Sequence, residues 1–149
     1  MGSNIEKEDW TSFMDLVEKI MLENYGEIIF DQIKNPRNNQ PVEDANGFIA
    51  FTGPCGDTMK IWLKIVDETI EKIGYRSIGC DITQAVGSMI TEMVKGKKIA
   101  DAQKITPQEI NDALGGLPED HSHCALLAQL TLQKAIENYR QNQSQIELK

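Results

Sequence analysis

Gly53-Pro54-Cys55-Gly56-Asp57 sets a thiol and a carboxylate two residues apart in a tight turn. Gly53 and Gly56 open backbone conformations closed to other residues and let the chain approach a bound ion closely. Strand-like sequence flanks the turn, Phe48 to Thr52 before it and Met59 to Val66 after it. In the second run Met59, Ile61, Leu63 and Ile65 alternate with Lys60, Trp62, Lys64 and Val66, the pattern of a half-buried strand with Lys60 and Lys64 outward. Asp67-Glu68 turns the chain, and a third strand is predicted over Ile70 to Ile78, around Ile73 and Tyr75. Three consecutive strands joined by short links predict an antiparallel meander.

Helical signals lie on both sides of this sheet. Residues 4 to about 34 carry Phe13, Leu16, Val17, Ile20 and Met21 at helical spacing, then Ile28, Ile29, Phe30 and Ile33 beyond Gly26, which is expected to divide the run in two. A helix over residues 9–23 carries an acidic face of Asp9, Asp15, Glu18 and Glu23, read as a solvated exterior. Asn35-Pro36-Arg37-Asn38-Asn39-Gln40-Pro41 ends the helical pattern in a loop, and Asp44-Ala45-Asn46-Gly47 is a further turn. After Cys80, the positions Ile82, Val86, Met89, Ile90 and Met93 keep helical spacing up to Lys95-Gly96. A short helix is expected within Ile99 to Ile105. Thr106-Pro107-Gln108-Glu109 supplies an N-cap, a proline at the first helical position and a glutamate three residues after the cap. That helix is expected to stop at Gly115-Gly116, and a last one to begin near Ser122, using Leu126, Leu127, Leu130, Ala135, Ile136 and Tyr139. Residues 141–149 are polar and are expected to fray.

With 149 residues the chain suits one domain with a real core. A net charge of −8 argues against nucleic-acid binding. No apolar run approaches membrane-spanning length, and the charged Ile5-Glu6-Lys7-Glu8-Asp9 start is unlike a secretory signal, so a cytoplasmic protein is expected. Three cysteines in such a chain point to metal binding or reactivity rather than to a disulfide framework.

The cysteines sit at telling places. Cys80 follows Gly79 at the junction of the third strand and the next helix, and Cys124 lies at the start of the last helix. A thiol there feels the positive end of the helix dipole, so both are expected to lean towards thiolate, the form that binds metal or attacks. His121 and His123, the two histidines of the chain, stand within three residues of Cys124. Thiolates, one carboxylate and one or two imidazoles suit Zn²⁺ or an iron–sulfur cluster. The cysteines are 25 and 44 residues apart with no Cys-x-x-Cys, so the pattern is neither a zinc knuckle nor a ferredoxin loop. Ligands drawn from three segments suggest an exchangeable site. A Cys–His nucleophilic dyad, with Cys124 or Cys80 beside His123, stays open on these residues.

The sequence resembles the iron–sulfur cluster assembly scaffold proteins of the IscU type and the N-terminal domain of NifU. The resemblance covers about residues 24–140. It rests on Tyr25 through Asn35-Pro36-Arg37-Asn38, on Pro54-Cys55-Gly56-Asp57-Thr58-Met59-Lys60, and on Gly79-Cys80 leading to Thr91-Glu92-Met93-Val94-Lys95-Gly96-Lys97. Leu117-Pro118 and His123-Cys124-Ala125-Leu126-Leu127-Ala128 complete it. It implies an α+β fold, a three-stranded antiparallel sheet packed by several helices, with the metal site at one end. It implies a non-enzymatic scaffold that takes sulfur as persulfide from a cysteine desulfurase, takes ferrous iron, builds a [2Fe–2S] cluster and hands it to apo-proteins. A [4Fe–4S] cluster on a homodimer is a further product in such families, and Zn²⁺ is an alternative occupant. By position, Cys55, Asp57, Cys80, His123 and Cys124 match the cluster and metal ligands, and Cys124 matches the persulfide acceptor.

The chain also departs from that pattern. Bacterial members carry Leu-Pro-Pro-Val-Lys before the His-Cys pair, read by an Hsp70-type chaperone; here it is Leu117-Pro118-Glu119-Asp120-His121, and that partnership is not expected. Asp81 and Gln84 stand where small residues are usual, and the helix over residues 4–23 is an addition. The alternative within the family is a zinc-dependent sulfur-transfer protein of the SufU type. Its members carry an insertion between the second and third cysteines and lack the histidine before the third, whereas this chain has His123 and no insertion. The expectation is therefore a single IscU-like domain over residues 1–149, with an added helix at 4–23 and a frayed tail at 141–149. A binding module with structural zinc is the reading from another class. Whether His121 or His123 is the imidazole ligand is open at this stage.

Overall fold

The computed structural model describes residues 7–147, with side-chain environments for residues 9–144. Residues 4–6 of the expected first helix and the last two of the polar tail lie outside the described residues. The order is α1 (Lys7–Lys34), β1 (Gly47–Thr52), β2 (Thr58–Val66), β3 (Thr69–Ile78), α2 (Asp81–Val94), α3 (Ile99–Ala102), α4 (Pro107–Ala113), a 3-10 turn (Glu119–His121) and α5 (Ser122–Glu147).

The sheet is the antiparallel meander that the alternation predicts, in the order β1-β2-β3. Thr52 pairs with Thr58 across the first hairpin, so the Gly53–Asp57 turn closes it. Asp67 and Glu68 close the second hairpin, both at positive φ (52° and 62°), the backbone that a two-residue link between twisted strands demands. Met59, Ile61, Leu63 and Ile65 on β2 are buried, together with Ile70, Ile73 and Tyr75 on β3. The outer face carries Lys60, Trp62 and Lys64, and there Phe48 lies against Trp62 with ring centroids 5.1 Å apart.

Helices α2 and α5 cover the inner face. Ile82, Ala85, Val86, Ile90 and Val94 of α2 and Leu127, Ala128, Leu132, Ala135 and Ile136 of α5 join the buried strand residues in one core. Helix α2 lies so close to the sheet that a Cβ on Gly87 would stand 2.6 Å from the Tyr75 ring. The cap expected at α4 is present: Thr106 Oγ1 accepts from the Glu109 N–H at 3.1 Å, with Pro107 as first helical residue. Helix α5 continues through Glu147, so the polar stretch 141–147 is helical. Leu126 and Leu130, read above with the periodic apolar face of that helix, are 45% and 38% exposed instead.

Helix α1 kinks at Gly26 (φ 84°, ψ 168°), dividing the run where the sequence predicts. The Lys34 ammonium reaches the Glu18 carboxylate at 2.8 Å. Sixteen residues of straight helix would separate them by about 24 Å, so the first arm folds back along the second. The second arm is tied to α2: Gln32 Nε2 donates to Glu92 Oε1 at 2.7 Å, and the Ser88 hydroxyl donates to Gln32 Oε1. Arg37 extends the tie, its backbone N–H donating to Ser88 Oγ at 2.8 Å and its Nε lying 3.3 Å from Glu92. Asn38 donates to Thr91 Oγ1 at 3.0 Å and, through its carbonyl, accepts from the Tyr75 N–H at 3.0 Å. The Asn35-Pro36-Arg37-Asn38 stretch thus fixes α2 against the sheet, and with it Cys80 at the head of α2.

Candidate metal centre

The hairpin turn at the end of β1 is a closed loop. The Gly53 N–H donates to the Asp57 carbonyl at 2.9 Å, and the Gly56 N–H donates to the Gly53 carbonyl at 3.0 Å. Gly56 takes φ 92°, a conformation that a side chain would strain. The turn leaves Cys55 exposed and sends Asp57 towards α2. Gly79 at the end of β3 makes room for it: a Cβ there would stand 2.4 Å from the Asp57 carboxyl carbon.

Cys80 is the N-cap residue of α2, with no side-chain cap bond, so its sulfur is free to face the Asp57 carboxylate at 3.7 Å. Thr83, fully buried one turn into α2, is the hub of the cluster. Its hydroxyl donates to Asp57 Oδ2 at 2.5 Å and lies 3.4 Å from both Cys80 Sγ and Cys124 Sγ. The sequence reading missed this residue. The available signal is its place three residues after Cys80, which on a helix start returns a side chain to the cap.

The Leu117–Cys124 segment brings the imidazoles. The Leu117 N–H donates to Asn111 Oδ1 at 2.7 Å, and the His121 N–H to the Pro118 carbonyl at 2.9 Å, pinning the 3-10 turn between α4 and α5. His121 Nδ1 consequently lies 3.7 Å from Cys80 Sγ. His123 Nε2 lies 3.8 Å from Cys124 Sγ, with its ring exposed. Cys80, His121 and Cys124 offer three ligand atoms that all lie within 4.8 Å of one another. Asp57 stands at their edge through Cys80 and Thr83. Cys55 and His123, expected in the ligand set, are outside that inner group; they share the wall of a cleft of about 350 Å³ with Phe51, Leu126 and Leu130. The two leucines left exposed by α5 thus form an apolar margin beside Cys55.

One electrostatic expectation is corrected. Cys124 lies in the first turn of α5, but it is fully buried, and burial pushes its thiol up from 9.0 to about 11. The Thr83 hydrogen bond opposes this, while the nearby Cys80 and Asp57 charges add to it. A helix terminus contributes about 0.3–1 kcal/mol, under one pKa unit, whereas burial moves such groups by several. Without a metal Cys124 is a neutral thiol at pH 7.

The chemistry of the donor set suits a soft or borderline cation: two sulfurs, an imidazole and a carboxylate oxygen. None of these side chains is locked into a structural role elsewhere, and the three cysteines are free thiols.

The chain is similar to known proteins in sequence and in fold. The sequence profile of the NifU-like N-terminal domain matches residues 24–146. The chain is 43% identical over 124 residues to the iron–sulfur cluster assembly scaffold protein IscU 1 of Archaeoglobus fulgidus, covering 83% of this chain and 81% of that one. It is 42% identical to the IscU scaffold protein of Aquifex aeolicus over 83% of this chain and 80% of that one. The nitrogen fixation protein NifU of Azotobacter chroococcum is 39% identical over 78% of this chain and 39% of its own length. Among solved structures, the N-terminal NifU-like protein of Brucella abortus superposes with TM-score 0.68 at 14% identity, over 82% of this chain and 98% of that one. A SUF-system protein of Fervidobacterium islandicum superposes with TM-score 0.65 at 20% identity, over 77% of this chain and 98% of that one, a likeness of fold. With its profile match across residues 24–146, the chain belongs to the NifU-like N-terminal domain family.

Proposed function

We propose that this protein is a scaffold on which an iron–sulfur cluster is assembled, from sulfur supplied by a cysteine desulfurase and from ferrous iron, and then handed to apo-proteins. The observation that carries the reading is the convergence of Cys80, His121 and Cys124 within 4.8 Å at one end of the sheet, with Asp57 alongside. An open set of thiolates from separate elements holds iron and sulfide as cargo and releases them. The cluster ligands in this reading are Cys55, Asp57, Cys80, His123 and Cys124, and the cargo is a [2Fe–2S] cluster.

Cys124 is the sulfur acceptor in this reading. Its thiolate attacks the outer sulfur of the desulfurase persulfide, the new S–S bond forms, and the desulfurase cysteine leaves as thiolate, with no net oxidation. The Cys124 proton must first be lost, because burial holds the thiol neutral. No helix among the described residues is long and apolar enough to cross a membrane. The protein in this reading works in the cytoplasm and converts no substrate catalytically.

The test is anaerobic reconstitution of the full chain with ferrous iron, cysteine, a desulfurase and excess dithiothreitol, the thiol reductant that takes persulfide sulfur to sulfide. Sulfide-to-iron absorption bands and a two-iron Mössbauer signature are expected. Zinc retained with no cluster formed overturns the scaffold reading in favour of a zinc-dependent sulfur-transfer protein of the SufU type, which the two-sulfur, one-imidazole grouping also suits. In that case the zinc-loaded protein stimulates the desulfurase, and Cys124→Ser abolishes the effect.

A further inference from the structure

The donor atoms of this centre fall into two groups rather than one. Cys80, His121 and Cys124 converge within 4.8 Å, whereas Cys55 and His123 face the apolar cleft. We propose that the first divalent metal ion to enter is held by Cys80, His121 and Cys124, with Cys55 and His123 left outside. The inference rests on the reading that this site handles metal as cargo, and names the residues that take the first ion.

The spacing supports it. Metal–sulfur bonds of about 2.3 Å and metal–nitrogen bonds of about 2.0–2.1 Å, at tetrahedral angles, put neighbouring ligand atoms about 3.5–3.8 Å apart. Cys80 Sγ and His121 Nδ1 already stand at 3.7 Å. His121 is also the better-held imidazole. It is half-buried, and the 3-10 turn that carries it is anchored through Pro118 and through Asn111 of α4. His123 has a sulfur at a similar distance, Cys124 Sγ at 3.8 Å, but its ring is exposed beside a cleft. Little side-chain order remains to be gained when an ion meets His121, whereas His123 and Cys55 must be drawn in.

Asp57, held by Thr83, supplies the fourth position. The Thr83 hydroxyl holds the Asp57 carboxylate, and Asp57 Oδ2 lies 3.7 Å from Cys80 Sγ. An ion seated on the two sulfurs and the imidazole meets this oxygen as a hard, exchangeable ligand, which leaves Cys55 free on its turn. The chain thus owns a single-ion entry site nested within the larger set that a cluster requires.

The experiment uses the metal-free full chain, kept anaerobic, with Co²⁺ as spectroscopic probe and Zn²⁺ affinity measured by competition with a chromophoric chelator. One ion per chain is expected, with tetrahedral d–d bands and charge transfer from two thiolates, unchanged in Cys55→Ser. His121→Ala weakens Zn²⁺ binding at least tenfold, and His123→Ala changes it less than threefold. Full affinity in His121→Ala, a tenfold loss in His123→Ala, or a lost thiolate band in Cys55→Ser each overturns the proposal. X-ray absorption of the zinc-loaded native protein needs no variant. Two sulfurs with two nitrogen or oxygen neighbours support the entry site, and three sulfurs refute it. Reconstitution separates the two readings, since zinc bound through His121 without any cluster forming defeats the scaffold and leaves the entry site standing.

Discussion

Thr83 and Asp57 decide what the cysteines can do. The Thr83 hydroxyl touches both inner sulfurs and holds the Asp57 carboxylate, so one buried side chain sets three others. Accessibility ranks the thiols, from exposed Cys55 to buried Cys124. Metal-free protein treated with iodoacetamide is expected to lose Cys55 first and Cys124 last, as mass spectrometry of the digested chain will show. Labelling of Cys124 should accelerate about tenfold per pH unit until its thiol titrates at about 11. Fast labelling of Cys124 at pH 7 would contradict its burial. In the proposed reading Asp57 acts on the loaded state. Asp57→Ala is expected to lengthen the life of a reconstituted cluster several-fold under air, because the exchangeable oxygen ligand is where water enters. Bleaching of the visible bands measures it, and an unchanged lifetime removes Asp57 from that role. At this scale the sequence was half transparent. Cys55, Cys80 and Cys124 stood out by residue type and by their places at turns and helix starts. Thr83 did not, because a threonine within an amphipathic run carries no mark of its partners. The charge state of Cys124 was misread because a dipole is visible in sequence while burial is a product of packing.

Among the elements, α1 differs from the rest. Its second arm enters the core through Ile29, whereas Trp10, Phe13, Leu16 and Ile20 on the first arm are each about half exposed. The first arm therefore adds little to the fold. Removal of residues 1–23 is expected to preserve cooperative unfolding, to lower the midpoint by a few degrees at most, and to leave zinc affinity within about threefold. Thermal melts and chelator competition on the shortened chain check this, and loss of cooperativity would show that the arm is integral. The elements were the most legible level. Alternation on β2, the Thr106-Pro107 start of α4 and the Gly26 interruption each state their structure locally, through period, cap chemistry and glycine. Periodicity alone did not show which side of α5 faces the core. Leu126 and Leu130 fit a helical apolar stripe, yet they stay partly exposed and border the Cys55 cleft with Phe51 instead.

For the molecule as a whole, pH acts through two buried acids. Burial raises Cys124 from 9.0 to about 11 and Tyr75 from 10.0 to about 12. Each ionises more readily in the unfolded chain, so the stability they contribute is intact below about pH 9 and is lost as pH rises through the folded values of about 11 and 12. Urea midpoints of metal-free protein should hold steady from pH 7 to about 9 and fall steeply above that. A Cys124→Ala variant should fall later, since of the two raised groups Tyr75 alone remains. Here the sequence had little to say. The core lists itself in apolar residues, but which titratable groups it encloses depends on how α2 and α5 lie across the sheet.

The long β2–β3 hairpin closes through just two residues, Asp67 and Glu68, whereas the inner ligand group joins Cys80 to His121 across 41 positions. Hairpins of this kind form in about 1–10 μs, while closing a long loop costs entropy before its contacts give anything back. The order of events in folding follows from that inequality. The β2–β3 hairpin is expected to form before α2 packs against α5, the packing on which the meeting of Cys80 with His121 and Cys124 depends. Under the proposed function, a cargo held there clasps a chain that is already folded. It is then expected to slow local opening of that end while it is held, which hydrogen exchange of the loaded and metal-free protein measures.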